Sequence, residues 1–330
     1  MSREPNEEHL SAELEERMDR HREEQGGGPP PTGQGNVVAS AFAPGKVILL
    51  GEHAVVFGHP AIAGPLEQGV KVQLEQSERG GIQIDGCDEV SSLARAVRRC
   101  LHEFRLTDLK VSSSGDLPRS VGLGSSAAFA VALVRACAAA TGLMMRPQGL
   151  LDRAFEFERE FHGTPSGVDH NVAFERKLLR FVKGQRGQQI FLPKPLQALV
   201  WVVSSRGSTR EHVGSIASLA QENPERVERI FQFIRGLTDG AVEALEAGRY
   251  DEVGRAMDEN HRCLQELGLS TSELDAACER LRSLGCLGAK LTGAGGGGAV
   301  VALTEDAGAV MQKLDVDPAH LFVARWAPTN

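Results

Sequence analysis

Apolar and polar positions change their period several times along this chain, and the changes set out a mixed order of strands and helices. From Val37 to Gln76, apolar β-rich runs are punctuated by Gly and Pro, which predicts strands at Val37–Phe42, Lys46–Leu49 and Val70–Gln76. Leu93–Phe104 has amphipathic helical spacing, and Leu109–Ser113 reads as a strand. The run from Ser125 to Thr141 carries one charge, Arg135, and predicts a mostly buried helix stopped by Gly142. Pro147–Phe161 predicts a further helix, and Val168–Phe174 begins a helix or a strand with Asp169 at its head. Short strands and a Pro-Lys-Pro connection fill Lys177–Pro195, where a domain boundary is placed.

Beyond it, Leu199–Ser204 is a buried strand. Helical stretches follow at Arg210–Ala220, Pro224–Gly236, Asp239–Ala247 and Tyr250–Leu267. Ser270 and Glu273 have capping-box spacing and open another helix, which stops at Gly285. A strand–loop–strand over Gly288–Leu303, a helix over Glu305–Leu314 and a strand over His320–Trp326 close the chain. This half reads as helices set against a small, mostly antiparallel sheet.

Composition narrows the classes. The 330 residues suggest about two domains, and a 41% hydrophobic fraction is enough to build their cores. A formal charge of −8 lacks the basic footprint of a nucleic-acid binder. No apolar run approaches the roughly 18–20 residues that span a bilayer, so no membrane partner is expected. The first 35 residues, charged and then Gly/Pro-rich, read as a solvated tail and flexible linker rather than as a secretory signal. Cys87, Cys100, Cys137, Cys263, Cys278 and Cys286 show no CxxC pair or zinc spacing, and read as reduced thiols of a cytoplasmic protein.

Two glycine-rich loops carry the candidate chemistry. Gly122 and Gly124 lie in SVGLGSS, directly before the predicted helix at Ser125. A helix start there has unpaired N–H groups and the positive end of the dipole, which suits an anion, and Ser125 or Ser126 is expected to cap it. The stretch fits a loose dinucleotide pattern, but no acidic residue stands about 20 positions on. The second loop, Gly293 to Gly298, fits the protein-kinase glycine loop by letters but leaves no room for a catalytic loop after it. Lys46 follows Gly45 without the rest of a Walker A motif, and Val47 stands where Ser or Thr belongs. What remains is two phosphate-sized loops, a lysine after a short strand, and acidic residues between them: the parts of a phosphoryl-transfer site.

The order APGKVILLGEHAVVFGHPA, then PRSVGLGSSAA, then KLTGAGGGG resembles the three motifs of the GHMP small-molecule kinases. The likeness covers nearly everything from Val37 onward and is closest to the mevalonate kinases of that family, whose HGxPSGxD segment is similar to HGTPSGVDH here. It implies an α+β fold with an N-terminal ATP-loop domain over 36–195, a ferredoxin-like C-terminal domain over 196–330, and the site in the cleft between them. It implies ATP and Mg²⁺ as cofactors and mevalonate as the small-molecule acceptor. Dimers are common among such relatives, so a homodimer is compatible with it.

Roles follow by position in the motifs. Asp169 matches the catalytic aspartate and Lys46 the lysine beside it. Ser120, Val121, Gly122, Leu123, Gly124, Ser125 and Ser126 match the ATP loop, and Ser126 and Glu158 the magnesium ligands. Glu52, His53, Thr209, Ala294 and Gly295 fall where the family lines the acceptor pocket. Thr164 stands where asparagine is commoner, which bears on acceptor contacts. The alternative in the same class is a phosphomevalonate kinase or another small-alcohol kinase, for which Arg119, Arg206 and Arg210 supply cations. A regulatory nucleotide-binding relative predicts a damaged catalytic set, and Lys46, Ser126, Glu158 and Asp169 are all present.

Overall fold

The computed structural model describes residues 37–86, 88, 90–118, 121–162, 166–203 and 216–329. The predicted tail over 1–35 lies outside them. Glycine and proline near the start do not break the strands as the sequence suggests. β1 (Val37–Leu50) runs through Pro44-Gly45 as one strand, and β2 (Ala61–Gln76) begins nine residues before the predicted start and passes through Gly64-Pro65. The glycines mark close approach of neighbouring chain instead of turns. A Cβ on Gly64 would fall 2.6 Å from the Trp326 ring, and one on Gly45 would fall 2.8 Å from the Leu123 carbonyl oxygen.

β2 is the hub of the first sheet, whose order is β3 (Gln83–Ile84), β4 (Leu109–Gly115), β2, β5 (Leu179–Phe181), β6 (Gln188–Gln189), with β1 also paired to β2. The β2–β4 pairing is antiparallel, from Val70 opposite Gly115 to Gln76 opposite Leu109. The second sheet is antiparallel throughout, in the order β10 (Leu321–Trp326), β7 (Leu196–Val202), β9 (Ala299–Thr304), β8 (Gly288–Thr292).

Helix Ser125–Thr141 packs on β2 and against helices Pro147–His162 and Val168–Glu175. The segment at Asp169, left open as helix or strand, is thus helical. The main apolar core joins Val131, Leu133 and Val134 of the Ala-rich helix to Leu49 and Leu74, and continues into Val200, Val301 and Phe322 of the second sheet. It therefore does not stop where β7 opens at Leu196. A second cluster, with Phe231, Ile234, Leu264, Leu281 and Leu291, lies under the later helices.

Helix Pro224–Glu246 is continuous where the sequence predicts two. Gly236 and Gly240 cost it about 1 kcal/mol each relative to alanine, which is outweighed by burial of Val227, Ile230, Phe231, Ile234 and Leu245 along one face. The predicted cap of helix Ser272–Ser283 moves by one residue. Thr271 Oγ1 accepts from Leu274 N at 3.3 Å, while the Ser270 hydroxyl donates to Asp275. Helix Arg210–Ala220 is described only as Ile216–Glu222. Cys100, Cys137, Cys263, Cys278 and Cys286 are buried and unbridged. Among the described residues no helix is long and apolar enough to cross a membrane.

Candidate active site

The glycine-serine loop is fixed to β1 before any side chain is considered. Lys46 N donates to Leu123 O at 2.9 Å. Val121 and Leu123 turn their side chains into the core, and Gly122 and Gly124 beside them are half-buried. Gly122 (φ 88°) and Gly124 (φ 75°) take left-handed conformations that side chains disfavour. Gly124 itself is the N-cap of helix Ser125–Thr141, without a side-chain cap. The serine cap expected from the sequence is therefore absent, and Ser125 and Ser126 are the first two helical residues. By helix geometry the leading N–H groups have no intrahelical acceptor, and the dipole adds partial positive charge there.

Lys46 and Asp169 meet at this helix start. Gly167 (φ 92°) begins helix Val168–Glu175 and puts Asp169 in its first turn, where the dipole favours a carboxylate. Asp169 Oδ1 stands 3.2 Å from Lys46 Nζ, with the lysine side chain 6% exposed and the aspartate 33%. A Cβ on Gly124 would lie 2.9 Å from Lys46 Cγ and 3.5 Å from Asp169 Oδ2. The lysine stem, the carboxylate and the loop backbone therefore share one small space. The aspartate is the more solvent-accessible member of the pair.

Glu158, on helix Pro147–His162, meets helix Val168–Glu175 at His170. Its Oε2 is 2.8 Å from His170 Nε2, with both side chains buried. The His170 ring meets Phe155 edge-on, with centroids 5.4 Å apart. His170 is a residue the sequence reading missed, although it adjoins Asp169. Among the described residues no three His, Cys, Asp or Glu cluster as a metal cage. A carboxylate and a serine hydroxyl are oxygen donors of the kind Mg²⁺ takes alongside water and phosphate oxygens, and here Glu158 Oε2 is engaged by His170 Nε2.

The Gly51–His53 turn carries a strained residue: His53 has φ 60° and ψ −51°. Such a conformation costs on the order of 1–3 kcal/mol and persists only when its surroundings impose it. His53 Nε2 lies 3.1 Å from the Ala294 carbonyl oxygen, so the first and third motifs touch here. The adjoining Gly295 leans on Leu269: a Cβ there would be 2.4 Å from Leu269 O, which also accepts from Gly296 N. Glu52 is placed differently from a pocket-lining residue. It is 1% exposed and its Oε1 is paired with Lys290 Nζ.

Lys290 also donates to Leu291 O at 2.7 Å. It opens the third motif, KLTGAGGGG, but the sequence reading gives it no role; the signal for one is that it is the single charge in an otherwise uncharged strand. Burial pushes the Glu52 carboxyl up and the Lys290 ammonium down, each opposed by attraction to the other. Around them, Gly51 N donates to Asn260 Oδ1 at 3.0 Å, and Leu291 N donates to His261 Nδ1 at 3.2 Å. His261 therefore carries its proton on Nε2, 3.1 Å from Asp275 Oδ1. Burial, reinforced by Lys290, holds its pKa down to about 4. Thr292 Oγ1 joins Ile48 N and Ile48 O, which ties β8 to β1. Ser120, Thr164 and Thr209 lie outside the described residues.

Residues 90–176 match the family model of the GHMP kinases N-terminal domain, and residues 241–315 match that of the GHMP kinases C-terminal domain. The mevalonate kinase of Pyrococcus horikoshii is 34% identical over 295 residues, covering 80% of this chain and 88% of that protein. The mevalonate kinase of Thermococcus gammatolerans is 32% identical over 299 residues, covering 81% and 89%. Among solved structures, L. major mevalonate kinase in complex with R-mevalonate superposes with a TM-score of 0.76 at 27% identity, covering 88% of this chain and 96% of that one.

Proposed function

The chain belongs to the GHMP kinases, and from that membership we infer that it is a mevalonate kinase, transferring the γ-phosphate of ATP to the 5-hydroxyl of mevalonate. The observation that carries the chemical reading is the Lys46–Asp169 pair at the head of helix Ser125–Thr141. Phosphoryl transfer asks for positioning and charge stabilisation more than for covalent chemistry, and these residues supply both.

In this reading the backbone N–H groups of Gly122, Gly124, Ser125 and Ser126 hold the ATP phosphates. Asp169 accepts a hydrogen bond from the 5-hydroxyl and aims the hydroxyl oxygen at the γ-phosphorus, taking its proton as the new P–O bond forms and the bond from the γ-phosphorus to the β–γ bridging oxygen breaks, with ADP as the leaving group. Lys46 offsets the negative charge that builds up between acceptor and phosphate. Mg²⁺, held by Ser126 and Glu158 together with phosphate oxygens, would neutralise charge on the β- and γ-phosphates. His53 and the backbone at Ala294 and Gly295 form the acceptor side.

The test is ADP release by the purified protein with ATP and Mg²⁺, comparing mevalonate, phosphomevalonate, galactose and homoserine. Turnover confined to mevalonate is the expected result. Turnover with phosphomevalonate instead would overturn the acceptor assignment and turn attention to Arg119, Arg206 and Arg210, all outside the described residues. ATP binding without turnover on any acceptor would overturn the enzyme reading.

A further inference from the structure

We propose that Asn260 and Lys290 are positioning residues for the acceptor site, which hold His53 in its strained conformation through Gly51 and Glu52. The proposal rests on the function given above and adds to it residues that no motif assigns to acceptor recognition.

The turn Gly51-Glu52-His53 is built against its own preferences. Gly51 is left-handed at φ 95°, and His53 is a non-glycine residue at φ 60° with no side-chain cap for the short helix Ala54–Phe57 that follows. Its own backbone closes the turn, with Ala54 N donating to Glu52 O at 2.7 Å and Val55 N donating to Gly51 O at 3.0 Å. The contacts that anchor it to the rest of the molecule come from the far end of the chain, one for each residue of the turn. Gly51 N donates to Asn260 Oδ1, Glu52 Oε1 pairs with Lys290 Nζ, and His53 Nε2 meets the Ala294 carbonyl oxygen. The first two partners are fully buried: Asn260 and Lys290 are 0% exposed.

The supporting groups are themselves joined. Asn260 and His261 are consecutive on helix Tyr250–Glu266, and His261 accepts from Leu291 N, next to Lys290. One turn of that helix thus holds both the acceptor turn and the strand that leads into the glycine-rich loop. Glu52 Oε2 and Asn260 Nδ2 have no hydrogen-bond partner although both are buried. An orphaned carboxylate oxygen is a cost that a purely structural contact between apolar strands would avoid. Retaining a buried ion pair where hydrophobic side chains would pack is understandable if its geometry, rather than its stability, is what the turn needs.

The test uses the full-length protein in three variants: Asn260→Ala, Lys290→Met, and the double variant Glu52→Gln with Lys290→Met. The double variant leaves no unpaired buried charge and is expected to fold even where Lys290→Met does not. Two readouts are taken: the ¹H–¹³C imidazole signal of His53, assigned with His53→Gln, and the separate constants for acceptor and nucleotide. The expected result in folded Asn260→Ala and in the double variant is a displaced His53 signal and an acceptor KM raised at least tenfold. The Kd for the ATP analogue should stay within twofold. An unchanged His53 signal and acceptor KM in those proteins would overturn the proposal, as would equal losses for acceptor and nucleotide. If the wild type does not phosphorylate mevalonate, the functional reading falls on its own, and the His53 signal still decides whether Asn260 and Lys290 set the turn.

Discussion

Lys46 Nζ lies 3.2 Å from Asp169 Oδ1, although the two residues stand more than a hundred positions apart in sequence and arrive from a strand and a helix. The loop backbone at Gly124 packs directly on the lysine stem, so the ion pair and the start of helix Ser125–Thr141 are parts of one arrangement. Catalysis by such a pair depends on its being held before substrate arrives, since only preorganised charge lowers the barrier at no cost in reorganisation.

Lys46→Met keeps the buried stem and removes the ammonium. Its kcat is expected to fall about 10²–10³-fold, the loss typical of one preorganised stabilising group. The thermal midpoint should change little compared with that loss. A steady-state assay paired with a melting curve checks this; a drop in activity no larger than the drop in folded fraction would contradict it.

Gly124→Ala places a methyl group 2.9 Å from Lys46 Cγ at a residue with φ 75°. The backbone penalty alone is roughly 1–2 kcal/mol, and relief requires the loop or Lys46 to shift. Both nucleotide affinity and turnover are expected to fall. Isothermal titration with an ATP analogue measures the first, and wild-type affinity would show that the loop does not hold phosphate.

Glu158→Gln keeps the shape of the side chain and removes its charge. The half-saturating Mg²⁺ concentration should rise roughly tenfold, at the low end of what altering a metal's surroundings costs. Mn²⁺ binding to the nucleotide complex, followed by electron paramagnetic resonance, should weaken in parallel. Unchanged divalent-ion dependence in both assays would remove Glu158 from the metal site.

His261 is buried neutral, with its pKa held near 4, and the charged groups facing it are Lys290, Asp275 and Arg282. The unfolded chain takes up a proton at this histidine near pH 6.5, before the folded chain does, so folding stability falls as pH drops from about 6.5 to about 4. Melting curves across this range should show that fall, with a shallower slope in His261→Gln than in wild type. Identical slopes would mean that His261 is not held neutral in the folded protein.

The parts of the site legible in the sequence were those written in short, local patterns. Gly122 and Gly124 before an Ala-rich helix announce an anion site because backbone geometry and helix dipole act over a few residues. Lys46, Asp169 and Glu158 were found by their places in motifs, and the structure brings Lys46 and Asp169 together. What the sequence could not show was pairing across the chain. Glu52 read as pocket lining because its partner, Lys290, is 238 positions away. The late start given to β2, at Val70 instead of Ala61, has the same cause: Gly64 reads as punctuation but accommodates Trp326, a residue near the other end of the chain. The Ser270 cap failed more narrowly, since Thr271 offers the same chemistry one residue later and Ser270 is taken by Asp275.

The most direct test of the central claim is turnover of mevalonate by Asp169→Asn, measured beside its affinity for an ATP analogue. The pair at Lys46 predicts that kcat falls about 10²–10⁴-fold, as for loss of a positioned proton acceptor, while nucleotide affinity stays within a factor of about two. Near-normal turnover in the folded variant would contradict the account and take Asp169 out of the reaction.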